Sequence, residues 1–304
     1  MNRVTFPPGI AGLVHHPEGF DPSKKYAAIV CVHPGSSVKE QTAGLYAQHM
    51  AEHGFVALAF DAFHQGESAG EPRFLEDPSR RVEDIRCAVD FLTTLGYVDD
   101  QRIGVLGVCA GGGYAVNAAL TERRIQAVGT VVGVNIGRAN RDGDVERTLA
   151  EVARQRTADA RSGDPTVAPW IPSSPEEAAR AGLTELDLTE AVAYYRTPRG
   201  QHPRSSNQLL SRSTGGLMAF DAFHLVETLL VQPLQVIVGN EIGAFGSYRD
   251  GFELYRRARC DKDLLVIDGA SHYDLYDRPA YVGQAVAKLA AFYEEKLVTR
   301  GRAD

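Results

Sequence analysis

Gly107-Val108-Cys109-Ala110-Gly111 has the spacing of a nucleophile elbow, a sharp turn between a strand and a helix that exposes one side chain. The β-branched run from Ile103 to Val108 favours a strand, and the Ala-rich stretch from Gly112 favours a helix. Glycines two residues before and two after the central residue leave room for the strained turn. The unpaired N–H groups and positive dipole end of a helix N-terminus favour thiolate. The pattern therefore predicts Cys109 as a nucleophile in acyl transfer.

The composition excludes several classes of function. A chain of 304 residues with a formal net charge of −7 is long enough for a large core and too acidic for a nucleic-acid or anionic-membrane surface. No run approaches the ~18 apolar residues of a membrane span, and the N-terminus lacks the apolar segment of a signal peptide. The four cysteines show no CxxC spacing, so we expect no metal site, no disulfide framework and a cytoplasmic location.

Strand and helix patterns alternate along most of the chain, which predicts an α/β fold with a mostly parallel sheet covered by helices on both faces. Residues 138–216 break this rhythm, because they are polar and helical in pattern with no strand-like run. We interpret them as a helical cap inserted into a core made of residues 1–137 and 217–304. The predicted strands are 4–6, 10–14, 26–32, 55–60, 103–108, 127–134, 234–238 and 264–267. The predicted core helices are 41–53, 78–92, 112 onward, 221–230, 249–259 and 279 onward.

A nucleophile of this kind needs a histidine base and an acid that orients it. His272 follows the last predicted strand, where a loop would carry it to the elbow, and it is the predicted base. Glu241 follows the strand 234–238 and is the predicted acid. Asp250 and Asp268 remain alternatives for that role.

The oxyanion formed during acyl transfer needs backbone N–H donors. The residue after the nucleophile supplies one, so Ala110 is the first predicted donor. The turn His33-Pro34-Gly35 after the strand 26–32 would supply the second, at Ser36 or a neighbour. An ordinary strand-ending turn is the alternative interpretation of this segment.

These motifs together resemble the α/β-hydrolase superfamily, and within it the dienelactone-hydrolase-like proteins and the fungal polyketide transferases. The resemblance implies an eight-stranded hydrolase fold and a Cys-acid-His triad that acts on acyl esters or thioesters. Relatives often carry Asp in the loop after Val238 where this chain has Glu241, so the acid is the weakest of the transferred residues. The shared stretches are 33–35 with 38–42, 59–61 with 65–68, 81–86, 107–110 with 112–114, 268–270 with His272, and 274–277.

We expect an acyl hydrolase or acyltransferase that forms a covalent acyl-enzyme at Cys109, needs no cofactor and takes a small-molecule ester or thioester. A dienelactone-type lactone or carbon–carbon hydrolase would use the same groups. A catalytically inactive binding protein of the same fold is the alternative from another class. The acyl group, the choice between hydrolysis and transfer, and the number of chains, a homodimer included, stay open at this stage.

Overall fold

The computed structural model describes residues 1–299 and contains an eight-stranded sheet in the order β1-β2-β4-β3-β5-β6-β9-β10. The first two strands join the sheet antiparallel, and from β4 to β10 every neighbouring pair is parallel. This confirms the predicted α/β-hydrolase sheet. The strands of this sheet are β1 (Asn2–Phe6), β2 (Ile10–His15), β3 (Tyr26–Val32), β4 (Val56–Phe60), β5 (Val98–Val108), β6 (Ile125–Val131), β9 (Leu234–Gly239) and β10 (Lys262–Ile267).

Helices cover both faces of the sheet. Successive residues of β3 point to opposite faces, so that Val30 joins one buried apolar cluster and Ile29 joins the other. The strands are therefore apolar throughout, as expected of a parallel sheet buried on both sides. The core helices are α1 (Thr42–Glu52), α2 (Pro78–Thr93), α3 (Ala110–Ala119), α9 (Val226–Leu229), α10 (Ser247–Arg257), α11 (Asp274–Asp277) and α12 (Pro279–Tyr293), the last continuing as a π-helical turn (Glu294–Thr299).

One predicted core helix is much shorter than the pattern indicated. We expected a helix over 221–230, and only Val226–Leu229 is helical. The Asp221 side chain accepts the Phe223 N–H at 3.0 Å, and Leu225 has a left-handed backbone with φ of 61°. The side-chain bond and the left-handed residue both interrupt a helix that the apolar spacing alone would allow.

The segment between β6 and β9 carries six helices, with α9 the last of them, and a small second sheet. We predicted no strand within 138–216, and that prediction is wrong, since two strands pair there in antiparallel fashion. Strands this short are too brief to produce a recognisable alternation in the sequence. The segment contains α4 (Ile136–Asn140), α5 (Val145–Ser162), β7 (Val167–Pro169), α6 (Pro175–Arg180), α7 (Leu186–Tyr195), β8 (Gln208–Leu210) and α8 (Ser213–Ala219).

Candidate active site

The elbow between β5 and α3 has the strained backbone that its sequence predicts. Cys109 is the N-cap residue of α3, with φ of 56° and ψ of −126°. A Cβ atom on Gly107 would lie 2.2 Å from the Gly111 carbonyl oxygen, and one on Gly111 would lie 2.3 Å from the Val32 carbonyl oxygen. Both positions therefore require glycine, and the close packing holds the Cys109 side chain at the end of the sheet.

The Cys109 thiol is neutral in the resting site. Burial raises its pKa to about 11, although hydrogen bonds from the Tyr276 hydroxyl and the Ala110 N–H act in the opposite direction. The negative charge of Asp187 raises the pKa further. The helix N-terminus favours thiolate, as expected from the sequence, but in the folded site desolvation is the larger effect on the thiol pKa.

His272 lies beside the elbow in an equally dry environment. The side chain is buried, and burial lowers the pKa of its imidazole to about 3. Nδ1 lies 3.0 Å from the Ser247 hydroxyl oxygen, and Nε2 lies 3.3 Å from the Tyr276 hydroxyl oxygen. The imidazole is therefore neutral near pH 7, and its two nitrogens both face hydroxyl groups.

The acid predicted at Glu241 is not the hydrogen-bond partner of His272. Its side chain is exposed, and the Ser247 hydroxyl occupies the position on Nδ1 that a triad carboxylate would take. The two alternatives are engaged elsewhere. Asp250 is buried against Arg138 at 2.7 Å, and exposed Asp268 accepts a hydrogen bond from Asn240 at 2.8 Å. Within residues 1–299, His272 has no hydrogen bond to a carboxylate.

The predicted oxyanion turn lies next to Cys109, the predicted nucleophile. Ser36 lines the same cavity as Cys109 and Ala110, and it has a left-handed backbone with φ of 54°. Its carbonyl accepts the Ser205 hydroxyl at 3.0 Å, and its hydroxyl accepts the Asn207 amide at 2.9 Å. Two residues of the β6–β9 segment thus fix the conformation of this turn.

A buried polar network supports the same turn from beneath. The Ala62 N–H donates to Nε2 of His33 at 3.0 Å, so Nδ1 carries the proton and donates to the Pro34 carbonyl at 2.6 Å. Arg81 donates to the His33 carbonyl at 2.6 Å and pairs with buried Glu76 at 3.5 Å. Burial and the neighbouring Arg81 charge hold the pKa of His33 well below its ordinary value, so this histidine has a structural role.

Two carboxylates at the start of α7 bind the loop after β9. Glu185 accepts the Ala244 N–H at 2.7 Å, and Asp187 accepts the Phe245 N–H at 2.7 Å. Asp187 is buried, and its Oδ1 atom has no hydrogen-bond partner in residues 1–299. Burial raises the pKa of this carboxyl group to about 6. Phe245 in turn packs edge-on against the His272 ring, with centroids 5.6 Å apart.

A cavity of about 300 Å³ opens over Cys109. Its wall is mostly aliphatic and aromatic. Within residues 1–299 the only charged side chain that lines it is Asp142, which is more than half exposed. Cavities of this size and character bind small, largely apolar molecules. The lining residues from the β6–β9 segment include Ile136, Trp170, Ile171, Leu188, Tyr195 and Asn207.

Sequence reasoning missed Tyr276, Ser247, Asp187 and Trp170 as site residues. Tyr276 belongs to the stretch 274–277, which we quoted for its resemblance to relatives without assigning a role to any member. Its spacing of four residues from His272 was the available signal, since one helical turn brings such positions together. In the described residues no group of three or more His, Cys, Asp or Glu side chains could hold a metal ion, and no helix is both long and apolar enough to cross a membrane.

Comparison with known proteins gives consistent matches. The model of the dienelactone hydrolase family matches residues 10–153. The uncharacterized protein YcjY of Escherichia coli is 43% identical over 297 residues, which cover 95% of this chain and 94% of that protein. The crystal structure of hypothetical protein PA2218 from Pseudomonas aeruginosa superposes with a TM-score of 0.86 at 33% identity, covering 97% of this chain and 93% of the other. Polyketide transferase claH of Penicillium crustosum is 24% identical over 84% of each chain.

Proposed function

The chain belongs to the dienelactone hydrolase family of α/β-hydrolases and is a hydrolytic or acyl-transferring enzyme, and from that premise we propose that it cleaves acyl esters or thioesters through a covalent acyl-enzyme on Cys109. The observation that carries the proposal is the shared cavity of Cys109, Ala110 and Ser36 over the elbow. Nucleophile and oxyanion donors must meet at one point for acyl transfer, and a common cavity for these three residues supports that arrangement. The similarity to a polyketide transferase supports the same class of chemistry.

The first half of the reaction forms the bond between the Cys109 sulfur and the acyl carbon. The carbonyl oxygen becomes negative and is held by the backbone N–H groups of Ala110 and Ser36. Losing one such donor typically raises the barrier by about 3–4 kcal/mol. His272 takes the thiol proton and returns it to the departing alkoxide or thiolate. Water or an acceptor alcohol then attacks the acyl-enzyme with the same groups in reverse.

The pKa values of the two partners decide when the proton moves. Burial raises the pKa of Cys109 to about 11 and lowers the pKa of His272 to about 3, so transfer of the thiol proton to the imidazole before attack is strongly unfavourable. The proton therefore leaves as the carbon–sulfur bond forms, when the growing charge on the carbonyl oxygen is stabilised.

The acyl group that fits the cavity is neutral and apolar or aromatic. The wall contains aromatic rings from Trp170, Tyr195 and Phe245, and no cation lines the cavity among residues 1–299. An acyl group with a free carboxylate would lose its water shell without gaining a partner. Because Asp142 stands at the exposed rim, an anionic substrate would also meet a like charge there.

A panel of activated substrates tests the proposal. Acyl thioesters and p-nitrophenyl esters with neutral aromatic or branched acyl groups should be hydrolysed by the wild type, and Cys109→Ala should reduce the rate by at least about 10³-fold. Cys31→Ala is the matched control, because it removes a buried thiol of β3 and leaves the cavity intact. Hydrolysis that survives in Cys109→Ala would show that the proposed nucleophile is wrong.

Lactone hydrolysis is the second candidate, favoured by the dienelactone hydrolase family match over residues 10–153. A lactone carries its leaving alkoxide on the acyl chain, so the same nucleophile and oxyanion donors would open the ring. The cavity favours neutral lactones over lactones that bear a carboxylate, because no cation lines it within residues 1–299. Including both kinds in the panel separates this activity from cleavage of open-chain esters.

A further inference from the structure

Within residues 1–299, no hydrogen bond joins Cys109 directly to His272. The Tyr276 hydroxyl lowers the pKa of the thiol as a hydrogen-bonding neighbour, both side chains line the same cavity, and the hydroxyl oxygen lies 3.3 Å from Nε2 of His272. The hydroxyl group therefore stands between the sulfur and the base. If the nucleophile passed its proton directly to the base, a hydrogen bond between those two groups would occupy the position of this hydroxyl.

Tyr276 is held firmly in this position. It is 1% exposed, and its ring packs at centroid distances of 4.5 Å from Tyr273 and 5.1 Å from Tyr194. The carbonyl of the preceding residue, Leu275, accepts the Tyr46 hydroxyl at 2.9 Å. Arg199, in the β6–β9 segment, also holds this turn. It forms an ion pair with Asp277 at 2.7 Å and donates a hydrogen bond to the Tyr273 carbonyl at 2.8 Å. This packing therefore holds the Tyr276 hydroxyl between the Cys109 sulfur and the His272 imidazole.

The histidine is oriented to accept a proton from this hydroxyl. Ser247 lies 3.0 Å from Nδ1, and its oxygen can accept the Nδ1–H, which leaves Nε2 unprotonated and facing Tyr276. In this tautomer Tyr276 is the only hydroxyl of the described residues within hydrogen-bond distance of Nε2. The Tyr276 side chain also lines the cavity above Cys109, so it adjoins the bound acyl group.

We propose that Tyr276 is a catalytic residue that relays the proton between the Cys109 thiol and His272. As the sulfur bonds to the acyl carbon, the thiol proton moves to the Tyr276 oxygen and the Tyr276 proton moves to Nε2. The products are the tetrahedral adduct, a neutral tyrosine and an imidazolium. On collapse the imidazolium returns one proton by the same route to the leaving alkoxide or thiolate, so the balance closes with no other reactant. The proposal rests on the function proposed above.

Several other groups influence the thiol, and an experiment must separate them. Burial is the main reason for its raised pKa; the Asp187 charge on α7 raises it further, while Arg81 on α2 lowers it. Tyr195 and Tyr273 are neutral neighbours that also line the cavity. Among residues 1–299, Tyr276 alone both acts on the thiol pKa through hydrogen bonding and lies within hydrogen-bond distance of the imidazole Nε2. Changing the Tyr276 hydroxyl alone therefore isolates the relay.

Two measurements on Tyr276→Phe test the relay. The first is the pH dependence of Cys109 alkylation by iodoacetamide, which requires no substrate; the midpoint should move to higher pH, because a hydrogen bond that stabilises the thiolate is lost. The second is single-turnover kinetics with the best ester of the panel, where acylation and deacylation should both slow by about 10²-fold or more. Tyr194→Phe is the matched control, since that ring packs on Tyr276 and does not line the cavity.

A Tyr276→Phe variant with both rates within twofold of Tyr194→Phe would overturn the relay. If the wild type forms no acyl adduct, the proposed function fails, and the alkylation midpoint still reports whether the hydroxyl acts on the thiol. Replacing Tyr276 site-specifically by 3-fluorotyrosine keeps the ring and its packing, and covers the case in which the Phe variant does not fold. Its more acidic hydroxyl should move the alkylation midpoint to lower pH, opposite to Phe, and an unchanged midpoint would count against the relay.

Discussion

At the scale of single residues, burial sets the chemistry of the site. Cys109, His272 and Asp187 all have pKa values shifted toward the neutral form, because each is withdrawn from water without a full counter-charge. Perturbed groups of this kind concentrate at functional sites. At neutral pH the Cys109 thiol and the His272 imidazole are therefore uncharged, whereas Asp187, with a pKa of about 6, is mostly ionised.

Asp187→Asn should stabilise the protein at neutral pH. The carboxyl has a pKa of about 6 in the folded chain against an ordinary value of 3.8, so the folded state binds its proton more tightly. The free energy of unfolding of the wild type therefore falls by about 3 kcal/mol as the pH rises from about 4 through about 6. Asparagine does not ionise, so the variant does not lose this stability as the pH rises, and its side-chain oxygen can still accept the Phe245 N–H.

Thermal melting at pH 4 and pH 7.5 checks this expectation. The variant should gain several degrees over the wild type at pH 7.5 and little at pH 4. Asp142→Asn, a change at an exposed carboxylate, should show no such difference. Equal effects of Asp187→Asn at both pH values would contradict the raised pKa of the buried Asp187 carboxyl.

At the scale of elements, the start of α7 joins the β6–β9 segment to the loop after β9. Glu185 acts twice, since its carboxylate caps α7 through the N–H groups of Asp187 and Leu188 and also accepts the Ala244 N–H. The loop it holds leads to Ser247, which orients His272. A contact between elements therefore controls the geometry of a residue that it does not touch.

Glu185→Ala should loosen this junction. Losing a cap of this kind costs about 1 kcal/mol of stability, and the loop contact adds to that. We expect faster proteolysis of the segment from 240 to 246 and a several-fold lower turnover, with KM less affected. Glu146→Ala removes an exposed carboxylate from the first turn of α5 and is the control. Unchanged turnover in Glu185→Ala would show that the loop does not depend on this contact.

The elements that could be predicted are those that a short stretch of sequence determines by itself. The strand β3 was predicted with its observed bounds, because an uninterrupted apolar run between polar turns admits little else, and the elbow followed from its two glycines. The partner of His272 could not be predicted in this way. Whether Glu241 or Ser247 reaches the imidazole depends on the path of a loop that α7 holds, and residues more than fifty positions apart determine that path.

At the scale of the whole molecule, the sheet supplies the reacting groups and the β6–β9 segment supplies much of the cavity wall. Trp170, the only tryptophan of the chain, stands at this boundary. A Cβ atom on Gly35 would lie 2.8 Å from the Trp170 ring, so the indole rests directly on the oxyanion turn. The segment therefore supplies the wall that an acyl group would contact under the proposed function, and the core supplies the groups that we propose to react.

The fluorescence of Trp170 should report on occupation of the cavity. Titrating Cys109→Ala with a non-reactive neutral aromatic ketone should change the emission intensity or wavelength in a saturable manner, because a ligand in the cavity displaces water from the indole. A straight-chain carboxylate of equal size should have much less effect, since no cation lines the cavity within residues 1–299. Equal response to both ligands would contradict the neutral-substrate assignment.

The central claim is that Cys109 carries the acyl group. Intact-protein mass spectrometry after brief mixing with an activated aromatic ester, followed by peptide mapping, tests it directly. We expect one added acyl mass on the wild type, located at Cys109, present in Cys31→Ala and absent from Cys109→Ala. An adduct that persists in Cys109→Ala, or one that maps to another residue of the wild type, would contradict it.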